Sequence, residues 1–233
     1  SQSTDKADGG HSSNGSGTDN ANGTGGVGGT DGADGDNQDT VTDNPLKIVE
    51  SGWSADQQGY VHYAFALRNT STTQQVQYPQ ITITGRAKDG SIVFSQTQAL
   101  NMAFPNQTVY DAGQAGEGTA PATVDFVVLS PDTYNVTEAQ GTATFPISGT
   151  SKIDNRDGGT TFNGEVRAVA DGFKPSDGQQ IKISLVLRNA QNAIIYGDIA
   201  FVDWPGNGRS TPFSITVYDL PKYVSYDLYA QIW

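Results

Sequence analysis

The sequence contains no cysteine, one methionine and only two histidines, His11 and His62. Without thiols there can be no disulfide, no thiolate nucleophile and no Cys-ligated metal. No apolar run approaches the roughly 18 residues that a membrane-spanning helix requires. Cations are also few, 13 Lys and Arg against 25 Asp and Glu, for a net charge of −12. No Lys/Arg cluster forms a basic stripe, so a nucleic-acid partner is disfavoured.

What is present divides sharply. Residues 1–44 lack Ile, Leu, Met, Phe, Tyr and Trp, and eleven of them are Gly. Such a stretch cannot bury enough apolar surface to offset the entropy of ordering. It reads as a disordered Gly/Asp/Asn/Ser-rich linker. Its eight Asp and one Lys carry −7 of the −12, leaving an ordinary −5 for the rest. As a random coil its ends would lie on the order of 35–40 Å apart, a reach suited to holding a domain away from a membrane. The chain opens on Ser1 rather than Met. A trimmed or mature form is therefore expected, with a signal peptide, lipoprotein cysteine or membrane helix removed upstream.

From Pro45 the pattern changes to period two. Short runs rich in Val, Ile, Thr, Tyr and Phe are bounded by Asn, Gly, Asp and Pro, as in an all-β sandwich or barrel. Val61, Tyr63, Phe65 and Leu67 share one strand face, and Ile81 and Ile83 another. Lys88-Asp89-Gly90 reads as a hairpin turn, with Gly supplying the positive φ.

The chain also repeats itself. ITITGRAKDGSIVF (81–94) aligns without a gap to ISLVLRNAQNAIIY (183–196). Ile81 meets Ile183, Arg86 meets Arg188, and Gly90 meets Asn192, both of which tolerate left-handed backbone. Phe104-Pro105 matches Trp204-Pro205. Further matches are Gly59-Tyr60-Val61 with Gly164-Glu165-Val166, Pro121–Phe126 with Pro212-Phe213, and Tyr134-Asn135-Val136 with Tyr226-Asp227-Leu228. The expected organisation is a linker over 1–44 and two tandem immunoglobulin-like antiparallel β-sandwich domains, 45–140 and 141–233.

Gly52-Trp53, Val61-His62-Tyr63, Asn69, Tyr78-Pro79 and Asp89-Gly90 together resemble the FxLYD-type and related immunoglobulin-like domains of actinobacterial surface proteins. Thr84-Gly85-Arg86 stands near the place of the family's Leu-Tyr-Asp. The resemblance covers about residues 46–135 well and 141–233 weakly. It implies a secreted or membrane-anchored β-sandwich, often behind a low-complexity linker, and no particular chemistry.

Chemistry-bearing motifs are thin. A Ser-His-Asp triad in the folded part would have to use His62, which reads as an exposed strand histidine pointing away from the core face. Asp154-Asn155-Arg156-Asp157-Gly158-Gly159 resembles a calcium loop, but Arg156 occupies the third ligand place, so a plain turn is expected. Asp125, Asp203 and Asp219 have no context that marks a glycosidase pair. Trp53, Trp204 and Trp233 are the candidate ligand-binding residues, as platforms for a sugar ring or a protein partner. Trp204 falls where Phe104 recurs, which favours packing. The sequence thus points to a non-enzymatic extracellular or cell-surface scaffold with no cofactor and no metal. Its partner would be a cell-surface protein or a glycan, and its only membrane link an upstream anchor. The rival reading is a carbohydrate-binding module.

Overall fold

A computed structural model describes residues 40–233. The linker expected over 1–44 lies outside the described residues as far as position 39. Its last five residues are ordered: Thr40 bridges Asp132, and the Val41 amide donates to the Pro131 carbonyl at 3.0 Å. The boundary of the ordered region therefore precedes position 44.

The described residues are all-β. The first half holds β1 (Leu46–Ala55), β2 (Val61–Asn69), β3 (Gln74–Gln77), β4 (Gln80–Arg86), β5 (Ile92–Ala99), β6 (Met102–Ala103), β7 (Thr108–Ala115), β8 (Thr123–Val128) and β9 (Val136–Glu138). The second holds β10 (Thr142–Thr144), β11 (Ile147–Asp154), β12 (Thr160–Arg167), β13 (Val169–Asp171), β14 (Gln180–Arg188), β15 (Ile194–Asp203), β16 (Ser210–Val217) and β17 (Ser225–Ile232). One 3-10 turn, Thr133–Asn135, precedes β9.

All strand pairings are antiparallel. In the first half the sheets run β1-β2-β7, β5-β4-β8 and β6-β3-β9. In the second they run β11-β12-β16, β15-β14-β17 and β10-β13. Val61, Tyr63, Phe65 and Leu67 of β2 share a core with Ile81 and Ile83 of β4, as their alternation predicts. Phe162 and Val166 of β12 share a second core with Ile181, Ile183, Leu185 and Leu187 of β14. Met102 and Phe104, although in the first half, join this second core.

The repeated hairpins hold in detail. Gly90 and Asn192 sit at the turns with φ of 85° and 62°. The register slips by one between Gly85 and Arg86 in one hairpin and between Leu187 and Arg188 in the other. The flanking matches read from sequence are corrected. The turn Asp56–Tyr60 closes by Asp56 N–H to Tyr60 C=O at 2.8 Å, and its counterpart is Asn155 N–H to Gly159 C=O at 2.8 Å. Gly59 therefore matches Gly158, with φ of 89° and 88°, and not Gly164. Phe126 pairs with Ile83 just as Leu228 pairs with Leu185, so Phe126 corresponds to Leu228. Pro212-Phe213 belongs to β16, the counterpart of β7, and Tyr134-Asn135 lies in the 3-10 turn. Short matches of Gly, Pro and Tyr misassigned these segments because each half carries several of each residue.

Candidate functional site

β14 is buried along nearly its whole length. Alternation sends Ile181, Ile183, Leu185 and Leu187 into the second core, so Lys182, Ser184, Val186 and Arg188 face the other way. The β1-β2-β7 sheet of the first half covers that other face. Between the sheets Ala64, Ala112, Val186 and Ile194 form a third apolar cluster. The approach is close enough to require glycine. A Cβ on Gly52 would lie 1.9 Å from the Ile194 carbonyl oxygen, and one on Gly197 would lie 2.2 Å from the Tyr63 carbonyl oxygen.

Polar groups close the seam. Arg188 is bonded through Nη1 to Glu50 Oε1, and through Nη2 to Glu50 Oε2 at 3.2 Å. Its Nε donates to Asp227 Oδ2 at 2.7 Å. The Tyr110 hydroxyl donates to Glu50 Oε2 at 2.9 Å, and the Tyr110 ring stacks on Tyr229 with centroids 3.7 Å apart. The bond from Arg188 holds the Glu50 carboxyl below its usual range despite some burial, with help from Tyr110. Burial, then the bond to Glu50, pushes the Tyr110 hydroxyl up.

The deepest polar group pairs β14 with β7. Lys182 Nζ lies 2.7 Å from Asp111 Oδ1, with side chains 2% and 0% exposed. Gln231 Nε2 donates to the same Oδ1 at 2.8 Å. The Trp233 ring covers the ammonium, its centroid 4.2 Å from Nζ. Three buried polar atoms here have no hydrogen-bond partner: Asp111 Oδ2, Ser184 Oγ and Gln231 Oε1. Burial pushes the Asp111 carboxyl up, against the opposing pull of Lys182. Asp111 opposes Phe65 in the β2/β7 ladder, the place that Phe213 takes in the second half opposite Gly164. An acid has replaced a core aromatic.

His62 belongs to the same seam, which corrects its expected exposure. Its Nε2 lies 2.8 Å from Asp56 Oδ2, its side chain is 16% exposed, and its ring stacks on Tyr196 with centroids 4.8 Å apart. Burial raises the Asp56 carboxyl, but the bonds from His62 and from the Tyr60 and Gln58 amides outweigh it, and the net shift is downward. Asp198, on the Tyr196 side, is pushed up by burial.

The three tryptophans occupy separate surroundings, each half-buried. Trp53 packs against the first core. Trp204 lies edge-on to Phe145 at 5.8 Å and near Phe173 at 6.2 Å. Trp233 covers Lys182. More open is Tyr78, 56% exposed and held at φ 50°. It rims a groove of about 520 Å³ with Gln80, Leu129, Asp132 and Asn135. Residues 154–159 form a hairpin turn, with Asp157 Oδ1 accepting from the Gly159 amide at 3.0 Å. Among the described residues no group of three His, Cys, Asp or Glu is placed to hold a metal ion.

Sequence reasoning singled out the aromatics and missed the seam. The available signal was Lys182 inside the apolar run Ile181–Leu187; the pairing of Asp111 with Phe65 emerges only from the register of β2 and β7. No protein-family model and no curated protein matches the chain.

Proposed function

We propose that the chain is a non-catalytic scaffold module of a bacterial cell surface, made of two tandem immunoglobulin-like β-sandwiches behind a Gly/Asp/Asn-rich tether. The observation that carries this reading is the seam. Glycine-enabled backbone contact and buried charge pairs hold two repeated units in one fixed arrangement. Enzymes place titratable groups where substrate can reach them; here the most perturbed groups are used up between the halves. The matched hairpins support the two-domain reading, and the composition of residues 1–44 supports a tether. The resemblance to actinobacterial surface domains favours the location.

Two measurements test it. The chain has no native cysteine, so spin labels at Ser95→Cys and Ser151→Cys report one distance, one label in each half. A narrow distribution is expected, and a broad one would remove the fixed scaffold. Protease treatment of intact producing cells should cleave the protein from their surface; full protection would remove the location.

A carbohydrate-binding reading is favoured by one feature, the strained and exposed Tyr78 beside Gln80, Asp132 and Asn135. Chemical-shift titration with a panel of wall and capsule sugars should move these residues. Shifts absent across the panel remove this alternative.

A further inference from the structure

We propose that Lys182 and Asp111 form an intramolecular amide bond that staples the two halves together. The pair is already in contact, with Nζ 2.7 Å from Oδ1, so the nitrogen stands one bond away from the carbonyl carbon it would attack. Both side chains are shut off from water, and two full charges in such a place are costly. Transfer of one proton across the existing hydrogen bond leaves an amine and a carboxylic acid, both neutral. The burial that pushes the Asp111 carboxyl up acts in the same direction.

The step balances without a co-reactant. The Nζ lone pair attacks Cγ of Asp111, and a C–N bond forms. The tetrahedral adduct loses one carboxyl oxygen together with two protons, one from the nitrogen and one from the acid. The products are the amide and one water. Gln231 Nε2, bonded to Oδ1 at 2.8 Å, stabilises negative charge on that oxygen in the adduct and then bonds the amide carbonyl. Amides hydrolyse in open water, but here water is excluded and the reactants are held together, an advantage worth effective molarities of up to about 10⁵–10⁸ M.

A second observation points the same way. Asp111 has one oxygen with two partners and one buried oxygen with none. Amide formation expels an oxygen, which removes that uncompensated atom. The position also departs from the repeat, since the second half places Phe213 there. A bond here is independent of what the two halves carry or bind.

The test is the intact mass of the purified full chain under denaturing conditions, followed by a peptide map. The expected result is a chain one water lighter than its sequence, with a branched peptide joining the Asp111 and Lys182 segments and trypsin unable to cut after Lys182. Lys182→Met and Asp111→Ala should each restore the full sequence mass. A wild-type chain of full mass, cleaved at Lys182, overturns the proposal even if both variants fail to fold. So does a water loss that persists in Lys182→Met, because Asp-Gly pairs such as Asp89-Gly90 can lose water by cyclising.

Discussion

The sheets β1-β2-β7 and β11-β12-β16 hold equivalent places in their halves but turn different surfaces outward. On β2 and β7 the outward residues include Ala64, Ala66, Tyr110 and Ala112. Their counterparts on β12 and β16 are Asn163, Glu165, Pro212 and Ser214. The inward residues are mainly apolar on both, and Asn69 and Asp111 are the fully buried polar exceptions of the first half. The two cores are built alike; what differs is whether another sheet lies on the outer face. Small residues let a second sheet come within backbone contact, whereas Asn, Glu and Ser keep their sheet in water. The same contrast separates β4 from β14. Thr82 and Thr84 are half-exposed, while Ser184 and Val186, at the matching places, are fully covered.

The strongest way to break this asymmetry is Gly197→Val. Its side chain has no room beside the Tyr63 carbonyl and Ala112. We expect a loss of more than about 4 kcal/mol, read in a denaturant titration as one transition splitting into two. A single unshifted transition would show that the seam does not couple the halves.

Next is the arginine pair at the matched bulges. Arg188 is 6% exposed and bridges to Glu50 of the other half, while Arg86, 41% exposed, reaches only Asp125 and its own turn. Arg188→Ala should cost about 3 kcal/mol, because it strands a partly buried carboxylate. Arg86→Ala should cost at most about 1 kcal/mol. Equal losses would mean that the seam adds nothing to this contact.

Acid should sharpen the comparison further. The Glu50 carboxyl is held below its ordinary value of 4.5, so its contribution is complete above that pH and is lost as pH falls through the lower folded-state value. Stability measured from pH 6 down to pH 2 should therefore fall less steeply for Glu50→Gln. An unchanged slope would assign the acid sensitivity elsewhere.

The smallest effect concerns the turns. Gly90→Ala places a side chain at φ 85° with open space around it, so only backbone strain acts, at about 1 kcal/mol. Gly90→Asn, which copies Asn192, should recover most of that loss.

The strands and hairpins were legible because they follow local rules. Alternation marked Ile81 and Ile83 as core, and the positive φ at Gly90 and Asn192 follows from turn chemistry. The seam follows from no local rule. Ala64, Ala112 and Gly197 look like weak strand residues until a second sheet lies on them. His62 occupies a strand position that alternation assigns to solvent, and only the other half places Tyr196 over it. The tryptophans drew notice by size, yet Trp53 and Trp204 pack against cores and Trp233 covers Lys182.

The order in which a ribosome releases this chain gives the small-residue face another consequence. The first half emerges complete while β14–β17 are still unmade. Its waiting face of Ala64, Ala66, Ala112 and Gly52 offers little grip to passing hydrophobic surface. The stickier side of the seam, with Val186, Ile194 and Ile199, follows later in the chain, when every strand of the face it will cover has already been made.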